Sequence, residues 1–125
     1  MPRPQIRCTV STRFLPEQSS AQDGVYAFAY TIEIRNTGDI AAQVVGRRWR
    51  ITHGSSGLVE EVRGLGVVGQ QPLLQPGERH EYTSWCRLST PAGSMEGEYL
   101  CMTEDAEWFE APIEPFALAI AQALH

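Results

Sequence analysis

From Val25 to Gly38 the chain reads VYAFAYTIEIRNTG, in which Tyr26, Phe28, Tyr30, Ile32 and Ile34 alternate with Ala27, Ala29, Thr31, Glu33 and Arg35. A period of two gathers the first set on one face of an extended strand and the second on the other. A helix would scatter the same aromatic residues around its circumference. The run ends at Asn36-Thr37-Gly38-Asp39, residues that favour turns. A strand with one face this apolar needs a second layer to cover it.

The same alternation, less regular, recurs in IRCTVSTRFL near the start, AAQVVGRRWRITH from Ala41, LVEEVRG from Leu58, RHEYTSWCRLST from Arg79, MEGEYLCMTE from Met95 and EWFEAPIEPF from Glu107. Gly24, Gly38, Gly54-Ser55-Ser56-Gly57, Pro76-Gly77 and Pro91-Ala92-Gly93 punctuate the chain too closely for long helices. The terminal PFALAIAQALH reads as a closing strand with a tail. The fold expected is all-β, a fibronectin type III/immunoglobulin-like antiparallel β-sandwich of about seven strands. Trp49 and the aromatic stripe of Tyr26 to Tyr30 would fill much of the space between its sheets.

A chain of 125 residues, 42% hydrophobic and 20% charged, is enough for one self-folding domain, 1–125, with no linker. Its ten basic residues are all arginine, against fifteen acidic residues and a net charge of -5. That balance argues against nucleic-acid or anionic-membrane binding, which needs a basic field over much of one face. The lack of lysine removes Schiff-base chemistry and the phosphate-gripping lysine of a P-loop. Cys8, Cys86 and Cys101 are an odd number at no metal-like spacing, and MPRPQIRCTV lacks the apolar run of a signal peptide. The expected location is a reducing cytoplasm, with the thiols free.

One segment suggests a ligand. RGLGVVGQQP, from Arg63 to Pro72, holds Gly64, Gly66 and Gly69 at the G-x-G-x-x-G spacing of dinucleotide-binding loops. Such a loop needs a helix after the last glycine, so that amides and helix dipole face the phosphates. Here QQPLLQPGERHEY follows, and Pro72 and Pro76 forbid that helix. Gly64, Gly66 and Gly69 are therefore read first as backbone positions in a turn or bulge. An anion at this loop would depend on turn amides and Arg63.

Other candidates are weighed by pattern. Arg47, Arg48 and Arg50 flank Trp49; alternation sends Arg48 and Arg50 to one face and Arg47, Trp49 and Ile51 to the other. Arginine on the solvated face suits a carboxylate or phosphate partner. His53 and His80 with a cysteine could form a metal site only across strands, and no motif supplies the ligands zinc requires, so no metal and no cofactor are expected. Ser84 and Ser89 lack a nucleophile elbow, and Glu60-Glu61 point to opposite faces, so no catalytic residue is assigned. Cys86 and Cys101 read as small core residues. TEDAEWFE, from Thr103 to Glu110, reads as a solvated hairpin turn whose Trp108 and Phe109 could anchor a partner.

Taken together, VVGRRWRITHGSSG, EVRGLGVVGQQPLLQPGE, YTSWCRLSTPAGSMEGEY and FALAIAQALH resemble the ApaG family of small bacterial proteins, in one register from about Cys8 to His125. The resemblance implies a fibronectin type III-like sandwich and a role in protein–protein interaction, because related domains stand beside substrate-recognition modules such as F-boxes. It implies no enzymatic activity. It also links the chain with magnesium and cobalt efflux and with a neighbouring diadenosine tetraphosphate hydrolase gene. Gly64, Gly66 and Gly69 match the family's glycine pattern, for which pyrophosphate binding has been suggested. Three positions depart from that pattern: Trp85 stands where glycine is common, His53 where Asp or Asn is common, and Ala121 where proline is frequent. The resulting expectation is a non-enzymatic interaction module with a protein partner met through Arg47, Arg48, Arg50, Trp85 and Trp108. Self-association through an edge strand, giving a homodimer, is a related expectation. The alternative is a sensor binding nucleotide or pyrophosphate at Arg63 to Gly69.

Overall fold

The computed structural model describes residues 2–120. In chain order the strands are β1 (Ile6–Phe14), β2 (Tyr26–Asn36), β3 (Ala42–His53), β4 (Leu58–Leu65), the short β5 (Leu73–Leu74), β6 (Arg79–Leu88), β7 (Ala92–Thr103) and β8 (Trp108–Ala119). They form two antiparallel sheets: a smaller one ordered β1-β2-β6 and a larger one ordered β4-β3-β7-β8, with β5 paired to β3 beyond the end of β4. This is a sandwich of the predicted class. The seven expected strands are the seven long ones. β7 starts at Ala92, where the sequence suggested a turn, because Gly93 pairs with His53 and Leu118, and Ala92 with Ala119.

The alternation in β2 does what its pattern requires. Phe28, Tyr30, Ile32 and Ile34 are buried against Val44, Trp49, Ile51, Met95, Tyr99, Cys101, Ile113 and Leu118 from the larger sheet. Trp49 stands edge-on to Tyr30, Tyr99 and Phe116 at centroid distances of 5.6, 6.4 and 5.9 Å, a geometry that aromatic quadrupoles favour. Tyr82 and Tyr99 meet hydroxyl to hydroxyl at 2.6 Å inside this core, so each satisfies the other. Ala27 and Ala29, on the opposite face of β2, are also buried, in a small cluster with Leu15. Small side chains there let the connection after β1 fold over the sheet, fixed by the Leu15 amide on the Ala27 carbonyl.

β3 carries a β-bulge. Its pairing with β7 shifts between Val44 and Gly46, so Val45 has no partner across β7. Before the bulge Ala42 and Val44 face the core; after it Trp49, Ile51 and His53 do, and Arg47 shares their side. The extra residue changes which residues face in. At the sandwich's sides, β1 packs along β8, whereas β4 and β6 stand apart and leave a cleft.

Candidate functional site

On the outer face of the larger sheet, cross-strand register sets Leu65, Gly46, Leu100 and Glu110 in one row and Arg63, Arg48, Glu98 and Pro112 in the next. Gly46 has no side chain between two leucines, so the face dips there. The result is a groove of about 420 Å³ lined by Val45, Arg48, Arg63, Leu65, Leu100 and Glu110, among others. Apolar side chains continue past it: Leu65 is 77% exposed, Leu100 42%, Trp108 54% and Leu73 56%. Leu73, Gln43, Met102 and Trp108 form the register row next to that of Leu65, Gly46, Leu100 and Glu110, so the exposed apolar side chains fall in two neighbouring rows.

Charged groups bordering these rows are already held in place. Arg48 Nη2 donates to Glu98 Oε1 at 2.8 Å and to Glu110 Oε2 at 3.1 Å, while Arg50 Nη1 donates to Glu98 Oε2 at 3.1 Å. The hydrogen bond from Arg48 is the main reason the Glu98 carboxyl lies below its ordinary range; the same bond raises the Arg48 guanidinium. Arg48 Nε is buried without a hydrogen-bond partner. Arg63 sends Nε and Nη2 to Glu61 Oε1 at 2.9 and 2.7 Å.

The glycine segment and Arg47 form one structural unit. Arg47 Nη1 donates to the carbonyls of Leu65 and Gly66, both at 2.9 Å, and its guanidinium lies directly over Gly64, where a Cβ would approach Cζ to 2.7 Å. Val67 and Gln70 bond each other through both main-chain pairs, at 2.7 and 3.1 Å, around Val68 (φ 47°) and Gly69 (φ 79°). Two consecutive positive φ values make this a type I′ hairpin turn. Gly66 (φ 66°) gives its amide to the Val45 carbonyl at 2.7 Å, and Gln71 Nε2 reaches the same oxygen at 2.9 Å. The segment therefore closes the β3 bulge, with the amides of Gly66, Val67 and Gln70 engaged within the chain and no helix after them.

The structure thus brings Arg48, Arg50, Arg63 and Trp108 onto one face and leaves two of the expected surface residues elsewhere. Arg47 faces inward, as alternation predicts. Trp85, 60% exposed, lies on the smaller sheet at the mouth of the lateral cleft, which Arg47, Trp49, Glu60, Val62 and Ser84 also line. Leu65, Leu73 and Leu100 were not singled out from sequence, since an outward leucine in a strand carries no signal until its neighbours across the sheet are known.

The histidines, serines and thiols take structural places. His53 is buried; its Nδ1 accepts the Ser89 amide at 2.9 Å, lies 3.0 Å from Ser89 Oγ, and its Nε2 faces Glu60 Oε1 at 3.3 Å. This Ser–His–Glu string was not foreseen from sequence. The amide occupies the single lone pair on Nδ1, so the ring is not a free base for the hydroxyl. His80 stacks on Tyr82 at 6.4 Å. Among the described residues no group of three or more His, Cys, Asp or Glu could hold a metal ion, and no helix is long and apolar enough to cross a membrane. Burial pushes the thiols of Cys8, Cys86 and Cys101 up to about 12.

The fold is a fibronectin type III-like β-sandwich with a groove on the outer face of its larger sheet. The family model described as ApaG domain matches residues 16–103. A protein ApaG of Ralstonia nicotianae is 57% identical over 125 residues, covering all of both chains, and one of Azotobacter vinelandii is 52% identical over 124, covering 99% of this chain and 98% of that one. The crystal structure of an ApaA protein from Bordetella pertussis superposes with a TM-score of 0.89 at 53% identity, covering 93% of this chain and 94% of that one. The chain belongs to the ApaG family. The names of these relatives carry no enzymatic activity. The position of Ala121, one of the three departures, lies outside the described residues.

Proposed function

We propose that this chain is a non-catalytic binding module whose working surface is the outer face of the larger sheet, and that its ligand is a segment of another protein. The observation that carries the reading is the set of exposed apolar side chains on this face, Leu65 and Leu100 lining the groove and Leu73 and Trp108 in the next register row, bordered by the ion-paired Arg48, Arg50, Glu98 and Glu110. Apolar anchors surrounded by paired polar groups are the usual anatomy of a protein interface. Strands hold these side chains rigidly, so little ordering entropy opposes binding. Unpaired thiols suit a reducing, cytoplasmic setting. A part in magnesium or cobalt balance, which family membership suggests, would then run through the partner.

Affinity capture from the source cell with wild-type protein and a Leu65→Asp, Trp108→Ala variant tests the surface. Proteins retained by the wild type and lost with a folded variant support it; identical recovery refutes it. The alternative occupant, a nucleotide or pyrophosphate at Arg63, Gly64, Gly66 and Gly69, is checked by calorimetric titration, where saturable heat would favour it. Equilibrium dialysis with cobalt and zinc is expected to show no stoichiometric uptake.

A further inference from the structure

β4 is an edge strand of the larger sheet, and its eight residues pair with β3 without a break in register. Long regular edges invite pairing, and proteins commonly blunt them with proline, bulges or charge. The opposite edge is blunted in this way: β8 carries Pro112 and Pro115, and its pairing shifts between Met95 and Gly97. β4 has no proline and no bulge, and it exposes Leu58, Val59 and Leu65 by more than half. Its inward-facing charge, Glu60, is engaged with His53.

The alternation of main-chain bonds to β3 fixes which groups of β4 point away from it. Gly66 donates to the Val45 carbonyl, so Gly66 lies in a bonded pair with β3. Antiparallel alternation then turns the amides and carbonyls of Leu65, Arg63, Glu61 and Val59 away from β3. The side chains of these same residues lie on the outer face.

We propose that β4 pairs antiparallel with β4 of a second copy of this chain, about a twofold axis at Val62, joining the two larger sheets into one. Only registers that keep outer face beside outer face are allowed, because a one-residue slip would turn every side chain over. With the axis at Glu61, two glutamates oppose each other; with it at Arg63, two arginines do. With the axis at Val62, Glu61 faces the second copy's Arg63, Arg63 faces the second copy's Glu61, and Val59 faces the second copy's Leu65 at each end. Each arginine already holds its own Glu61, so the four charges would close an alternating ring. Inside, Glu60 would face the second copy's Gly64, over which the second copy's Arg47 guanidinium lies, a charge of opposite sign. Main-chain bonds form at the two Glu61–Arg63 pairs. At the ends contact is mainly between side chains, because Arg47 already occupies the Leu65 carbonyl. Self-complementarity of this kind is what a twofold interface requires. The inference stands apart from the outer-face reading, since that face is left open in the pair.

Sedimentation equilibrium on the full chain tests it, with Glu61→Arg, Arg63→Glu and the double exchange Glu61→Arg/Arg63→Glu. Wild type should form a dimer. Each single exchange replaces two attractive cross-strand pairs by two repulsive ones and should weaken association by about tenfold or more; the double exchange should restore it. Val62→Cys should link to itself as a disulfide dimer under oxidation, and Glu60→Cys should not. A wild type that stays monomeric to millimolar concentration overturns the proposal. So does a dimer indifferent to the single exchanges, or one that the double exchange fails to restore.

Discussion

Replacing Gly64, Gly66 and Gly69 one at a time by alanine separates a structural role from a phosphate cradle, because the structure gives the three positions different costs. At Gly66 a Cβ would overlap the Gln70 carbonyl oxygen, and φ is 66°. Left-handed backbone costs an alanine roughly 1–2 kcal/mol. Relieving the overlap means opening the turn, with loss of the two Val67–Gln70 bonds and the Gly66–Val45 bond at about 1 kcal/mol each. The total expected is about 4–5 kcal/mol. At Gly69 φ is 79° but nothing lies within 4 Å of the added carbon, leaving only the backbone term, about 1 kcal/mol after the entropy lost from the unfolded chain is counted. At Gly64 the obstacle is the movable Arg47 guanidinium, with Nη2 at 2.6 Å. Displacing it breaks two partly exposed bonds, about 1 kcal/mol together. This last cost should vanish in an Arg47→Met background, where the guanidinium is already gone. Urea denaturation at constant m-value measures all of these. Equal losses at Gly66 and Gly69, or a Gly64→Ala cost unchanged by Arg47→Met, would refute the reasoning. Added pyrophosphate should leave the wild-type midpoint where it is, since only a ligand that binds the native state raises it.

Three further expectations follow from the core and the outer face. Cys8, Cys86 and Cys101, pushed up to about 12 by burial, should resist a thiol reagent at pH 8 in the native protein and all react once it unfolds; rapid native labelling would contradict this. Glu98 has a lowered folded pKa, chiefly through Arg48. Its stabilisation is present above the ordinary carboxylate value of about 4.3 and is lost as pH falls through the lower folded value. Glu98→Gln should therefore cost about 1 kcal/mol at pH 7 and much less at pH 2, the partly exposed arginines limiting its size; an equal loss at both pH values would remove the ion pair as the cause. Tyr82→Phe leaves the buried Tyr99 hydroxyl unpaired and should cost about 1–3 kcal/mol, with the double Tyr82→Phe/Tyr99→Phe variant losing less than the sum of the single changes in thermal unfolding.

Strand existence and facing were legible because alternation is a local property. Tyr26 to Ile34 and the Arg47, Trp49, Ile51 side of β3 could be read without knowing any neighbour. Glycine spacing was legible as a pattern and as a mark of family, while its use was not: the contacts of Gly64 and Gly66 with Arg47 and Val45 depend on cross-strand register. Register likewise gathers Leu65, Gly46 and Leu100 from three separate strands, and the packing of one sheet on the other brings Tyr82 to Tyr99. His53 shows the same limit. Its partners Glu60 and Ser89 are brought to it by pairing and by the end of β6, and isolated polar residues in sequence do not announce a shared hydrogen bond. Trp85 could have been buried or exposed on pattern alone; its place on the outward side of β6 decides for exposure.

What Val45 contributes to β3 is length rather than chemistry. It counts as one extra step between two halves of a strand that must both present their apolar side to the core. A substitution that keeps the step leaves both halves correctly oriented. Deleting the residue would force one half to turn over, sending Arg48 and Arg50 into the space now filled by Trp49 and Ile51, or Ala42 and Val44 out to water. Unpaired guanidinium groups in that space would each cost several kcal/mol, comparable with the whole stability of a domain this size. The tolerance of this strand to change is therefore set by parity: many residues can be exchanged at position 45, but none can be removed there.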